Sequence, residues 1–91
     1  MKRVVEINGR KLTSPETAHT YLKGVFFFDD DYQENLKSLR THMAHIEDDI
    51  DIQISSNDIR TICVNPYAYK ILMVIGQCCD INPNLHIHFY Q

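Results

Sequence analysis

The chain has 91 residues, nine of them basic and twelve acidic, for a formal net charge of −3. That length allows one domain with one core, so function is confined to its surface and no second catalytic domain is accommodated. The acidic balance argues against nucleic-acid binding, because Lys2-Arg3 and Arg10-Lys11 make only a small basic edge without an aromatic-interleaved stripe.

The N-terminus leads from Met1-Lys2-Arg3 straight into a strand-like segment, without the apolar stretch and small-residue cleavage site of a signal peptide, so export is not expected. Val5 and Ile7 alternate with Glu6 and predict the first strand, which Asn8-Gly9 closes as a turn. Ser14-Pro15-Glu16 supplies an N-cap, a proline at the first helical position and an acid in the positive first turn. The helix that follows carries Ala18, Tyr21, Leu22, Val25 and Phe26 on one stripe. An acidic triplet, Asp29 to Asp31, breaks the pattern, and a second helix then places Leu36, Leu39, Met43 and Ile46 on its inner face. Lys37, Arg40, Thr41 and Ala44 must point elsewhere.

Ile50, Ile52 and Ile54 alternate with Asp51 and Gln53 as the middle strand. Ser55-Ser56-Asn57-Asp58 reads as the cap of a short helix carrying Ile59, Ile62 and Cys63. Asn65-Pro66 opens another helix, with Ala68, Ile71, Leu72, Ile75 and Cys79 as its inner stripe and Tyr67 and Tyr69 mostly outside. The run from Ile71 to Gly76 is the longest unbroken apolar stretch, far short of the roughly 20 residues that cross a bilayer. Leu85, Ile87 and Phe89 alternate with His86 and His88 as the last strand. The expected fold is therefore a single α/β domain over residues 1–91, strand-helix-helix-strand-helix-helix-strand. Long helical crossovers make its three-stranded sheet parallel, with about four helices.

Charge is unevenly spread along this frame. Residues 29–51 hold eight acids against two bases, a formal −6, while the remainder carries +3. Such a separation attracts a cationic surface and speeds encounter with it.

Ile7-Asn8-Gly9 followed by Leu12 and Ser14, His19 in the first helix, Tyr32-Gln33-Glu34-Asn35-Leu36 at the second, and Cys79-Asp80 before the last strand together resemble the barstar family of small intracellular ribonuclease inhibitors. The likeness extends over most of the chain, with Asn82-Pro83-Asn84 inserted ahead of the last strand. In that family the second helix and the loop before it plug the nuclease active site, so the resemblance implies a cytoplasmic inhibitor. The match is close for the scaffold and departs on the inhibitory face. The family's tight-turn glycine is Gln33 here, usually acidic positions are Lys37 and Thr41, an aromatic one is Arg40, and the aromatic before Tyr32 is Asp31. An ammonium in place of a carboxylate opposite a cationic groove replaces attraction with repulsion, so specificity for any such target has moved.

The expected contact residues are Asp29, Asp30, Asp31, Tyr32, Glu34, Lys37, Arg40, Thr41, Ala44, Glu47 and Asp48, read as acids at both ends of the helix and bases in its middle. The resemblance implies a ribonuclease toxin as partner and an immunity role of the contact-dependent growth inhibition kind, the free protein being a monomer or weak dimer. The competing reading is an interaction module of the same fold that binds a non-nuclease partner.

No catalytic constellation or cofactor is expected. His86-x-His88 offers two imidazoles near Glu6 or Asp51, but spacing fixes no third and fourth metal ligand. His42 and His45 read as surface or interface histidines, and His19 as half-buried and hydrogen-bonded. Cys63, Cys78 and Cys79 have no zinc or Cys-x-x-Cys spacing and read as reduced, inert thiols.

Overall fold

A computed structural model describes residues 3–91. The three alternating segments become strands Arg3–Glu6 (β1), Ile50–Ser55 (β2) and Leu85–Tyr90 (β3), all parallel, with β2 in the centre of the order β1-β2-β3. Register places Val5 beside Ile52 and Ile52 beside Ile87, and the Ile7 amide extends the ladder by donating to the Gln53 carbonyl at 2.9 Å.

Helices Pro15–Phe26 (α1) and Leu36–Ala44 (α2) form the first crossover, and Ser56–Cys63 (α3) and Pro66–Ile81 (α4) the second. Both crossovers step the same way across the sheet, so with the usual right hand they cover the same face. Burial agrees. Val5, Ile7, Ile50, Ile52, Ile54 and Leu85 are buried, whereas Val4, Glu6, His86 and His88 on the other face are exposed.

Local caps explain where the helices start. Asn35 Oδ1 accepts from the Ser38 amide at 2.7 Å, Ser55 Oγ from Asp58 at 3.2 Å and Asn65 Oδ1 from Ala68 at 3.0 Å, each meeting an amide that has no intrahelical partner. Ser14 takes the N-cap position of α1 without a side-chain capping bond, and Pro15 supplies the fixed backbone angle. A single 3₁₀ turn, Gly9–Leu12, follows β1 and is tied to α3 by the Gly9 amide donating to Asp58 Oδ1 at 2.9 Å.

Three packing expectations are corrected. On α4 the inward position belongs to Cys78, fully buried, and Cys79 lies half-buried, because Ala68, Ile71, Ile75 and Cys78 share the seam. Cys63 is exposed at the end of α3. Phe89 shares the inner parity of Leu85 but is 60% exposed, since eight-residue α3 does not reach over the end of β3, and an open apolar groove between Ile59, Leu72 and Phe89 remains.

Candidate functional site

The chain leaves α1 through Phe27, the one non-glycine residue described with a positive φ, 56°. A bulky side chain is uncommon in that region. The turn is closed by the Phe28 amide donating to the Lys23 carbonyl at 3.1 Å, and the Arg3 guanidinium stacks 4.3 Å from the Phe27 ring centroid. The loop of residues 27–35 then runs back along α2 instead of away from it.

Its anchor is Tyr32. This residue was expected at the contact surface, but it is 6% exposed and belongs to the scaffold of the site. Its hydroxyl lies 2.6 Å from His19 Nδ1, and His19 Nε2 lies 2.5 Å from the Tyr67 hydroxyl. His19 is fully buried, deeper than the sequence suggested, and Tyr67 turns inward on α4, not outward. A neutral imidazole has one donor and one acceptor nitrogen, and two hydroxyls satisfy both. Burial accordingly lowers the His19 pKa, opposed by the nearby Glu34 carboxylate, and raises those of Tyr32 and Tyr67.

Around Tyr32 the loop is held by further neutral contacts. Phe28 packs against Tyr32 with ring centroids 4.9 Å apart and against His42 at 5.3 Å. The Gln33 amide donates to Ser38 Oγ at 2.9 Å, and the backbone at Gln33 is not left-handed.

This folding-back rearranges the charge. Asp30 pairs with Lys23 Nζ at 3.2 Å and Asp31 with His42 Nε2 at 3.2 Å. Asp29, Glu34, Glu47 and Asp48 are exposed and make no ion pair among the described residues. The expected acid, base, acid order along the helix is not what the structure builds, because Asp29, Glu47 and Asp48 line one recess of about 220 Å³ beside His42 and His45. The acids lie along one flank of the C-terminal half of α2. Lys37, Arg40 and Thr41 are exposed, and Ala44 is half-buried. Arg40 donates to Gln77 Oε1 of α4, which carries the surface across to α4, where Tyr69 and Met73 are 47% and 46% exposed. That extension joins residues 37 positions apart and has no local sequence signal.

The C-terminal end of α2 is fastened by the Asn82-Pro83-Asn84 segment. Asn82, 4% exposed, donates from Nδ2 to the carbonyls of Met43 at 3.0 Å, Ala44 at 3.3 Å and Ile46 at 3.0 Å. Asn84 Nδ2 adds a second donor to Ile46 at 3.1 Å. Together they supply side-chain donors to carbonyls of the last turn of α2 and of Ile46 just beyond it.

On the open sheet face His86 Nε2 meets Asp49 at 3.1 Å and His88 Nε2 meets Asp51 at 3.5 Å, each imidazole with its own carboxylate. No group of three or more His, Cys, Asp or Glu side chains among the described residues is placed to hold a metal. Burial raises the thiol pKa of Cys78, and that of Cys79 to about 11, so neither is an activated nucleophile. No described helix is long and apolar enough to cross a membrane. No protein-family model matches the chain, and no characterised protein of similar sequence was found.

Proposed function

We propose that this chain is a barstar-like immunity protein that binds a cognate ribonuclease toxin one to one, occludes its active site and performs no chemistry itself. The observation that carries this reading is the pairing of a rigidly fastened loop and helix with four acids, Asp29, Glu34, Glu47 and Asp48, that form no ion pair among the described residues. A field left uncancelled on a rigid ledge suits a basic, RNA-binding groove, because charge complementarity sets association rate and little ordering is needed on docking. Lys37 or Arg40 would meet an acidic residue of the toxin, which gives specificity against other nucleases. The site of action is the cytoplasm, where such a toxin meets RNA.

The test is co-expression with a toxin domain encoded beside this chain, scored by survival and by stopped-flow association. Protection by the wild type is expected, with association slowed about tenfold or more at low salt by the double reversal Asp29→Lys and Asp48→Lys, and with a weaker salt dependence. Retained protection and unchanged kinetics in that variant would remove the proposed face. Tight binding without protection would favour the non-inhibitory interaction module.

A further inference from the structure

The two edges of the sheet are unlike. β1 is four residues long and carries Arg3 and Glu6, and shortness and charge are among the devices that keep a strand edge from pairing. β3 is six residues long, Leu85-His86-Ile87-His88-Phe89-Tyr90, and holds no Asp, Glu, Lys, Arg or Pro. It pairs one to one with β2 from Ile50 to Ser55, so no bulge twists it out of line.

The Ile50 amide donates to the Asn84 carbonyl at 2.9 Å. Alternation then turns the main chain of His86 and His88 toward β2, and that of Ile87 and Phe89 toward the open edge. Among the described residues these outward amides and carbonyls bond to no other element. On the helix side of the same edge Ile87 is half-buried and Phe89 is 60% exposed, at the groove it lines with Ile59 and Leu72.

We propose that β3 is a self-association edge, where two copies of the chain pair antiparallel about a twofold axis at His88 and join their three-stranded sheets into one. The register follows from the free groups. With the axis at His88, Ile87 of one copy stands opposite Phe89 of the other, and every outward amide and carbonyl of Ile87 and Phe89 finds a partner in both copies. An axis at Ile87 would instead set Phe89 opposite Leu85, whose amide already donates to the Asn82 carbonyl at 3.1 Å. The isoleucine-phenylalanine pair also covers the exposed ring. A second copy fits because the strand complements itself, apolar opposite apolar on the helix side and His88 opposite His88 on the open face. Charge favours the same place: each copy carries a net −3, and two like-charged molecules meet with least repulsion along a strand without formal charge. Six residues of strand extend about 20 Å, and one such edge buries well under the roughly 1,000 Å² of a stable interface. The dimer is therefore weak and concentration-dependent.

The experiment has two arms, both on the full chain. Sedimentation equilibrium at rising protein concentration is expected to show a reversible monomer-dimer equilibrium. Phe89→Lys, which removes the ring pair and charges the edge, should weaken it about tenfold or more with an unchanged circular dichroism spectrum. The second arm uses a Cys63→Ser background, which removes the exposed thiol. There His88→Cys sets two thiols across the axis in a pair without mutual hydrogen bonds, with Cα atoms about 4.5 Å apart and within disulfide reach. Mild oxidation should cross-link these chains through position 88, as located by peptide mapping, faster than chains with Val4→Cys or His86→Cys, which are also exposed but lie off the axis. Three results overturn the proposal: a chain monomeric at every concentration, association indifferent to Phe89→Lys, or cross-linking no faster at position 88 than at positions 4 and 86. Any of them leaves the edge to a different strand. Neither arm uses a toxin, so the immunity reading keeps its own test.

Discussion

Asn82→Ala removes a side chain that bonds to four other residues, Met43, Ala44, Ile46 and Asn84. Asn82 stands where α4 ends, its amide donates to the Cys78 carbonyl at 2.8 Å, and its Oδ1 accepts from the Asn84 amide at 3.0 Å. The truncation deletes two N–H donors that serve the Met43, Ala44 and Ile46 carbonyls and one acceptor for Asn84. At about 1 kcal/mol net for each hydrogen bond in a buried setting, the loss is about 3 kcal/mol. For a domain of this size that amounts to a fall in Tm of roughly 12–24 °C. Urea denaturation followed by circular dichroism measures the first figure, and amide exchange locates it. Protection should drop selectively at the amides of Met43, Ala44 and His45, because the last turn of α2 loses its tether. A loss under about 1 kcal/mol at unchanged m-value, or exchange that rises uniformly, would refute the view that the Asn82-Pro83-Asn84 segment fastens α2.

Two further outcomes follow from the interior. His19 has a lowered folded-state pKa, so its contribution to stability is present above its unfolded value of about 6.5 and is lost as pH falls through the lower folded value. Wild type should therefore lose more stability between pH 7 and pH 4 than His19→Gln, in paired urea titrations; parallel curves would contradict a neutral buried imidazole. His42, whose pKa is raised, acts in the opposite sense and is present in both proteins, so the difference isolates His19. In Gly9→Ala the new Cβ would stand 2.7 Å from the Asp58 carbonyl oxygen and 3.2 Å from Ile62 Cγ1. Because the clash is with backbone, a cost of about 1–3 kcal/mol is expected in thermal unfolding, and wild-type stability would show that the turn moves freely.

The frame was legible in the sequence because it rests on short-range rules. Period-two alternation marked all three strands, and Asn35, Ser55 and Asn65 stand where their helices begin and bond to the amide three residues on. What escaped were contacts between residues far apart in the chain. The depth of His19 depends on Tyr67, 48 positions away, and the role of Asn82 on carbonyls 36 to 39 positions earlier. The position of Phe89 depended on how far α3 reaches, and the choice between Cys78 and Cys79 on which seam of α4 meets α2, where Cys78 Sγ donates to the Arg40 carbonyl at 3.6 Å. At the candidate site the arrangement of the side chains was not legible. Linear order put acids at both ends of α2, whereas Phe28 and Tyr32 draw the loop alongside the helix and bring Asp29 to Glu47 and Asp48.

That arrangement is electrostatically unfavourable to the free protein, which bears on what it is for. A helix C-terminus already carries partial negative charge, and placing Asp29, Glu47 and Asp48 beside the last turn of α2 adds to it. Direct pairing with cations would relieve that repulsion, yet among the described residues the basic groups lining the recess are His42 and His45. The loop is held by uncharged contacts, the Tyr32 hydroxyl on His19, the Phe28 ring and the Ser38 hydroxyl on Gln33, together with the ion pairs of Asp30 with Lys23 and of Asp31 with His42. The uncharged contacts fix the geometry without engaging Asp29, Glu47 or Asp48. On the proposed function, repulsion among close like charges would be relieved when a cationic surface arrives, which would add to affinity for a basic partner. Protonation of His42, whose pKa is raised, makes the recess less negative, so on the proposed function association with a basic partner weakens as pH falls from neutrality.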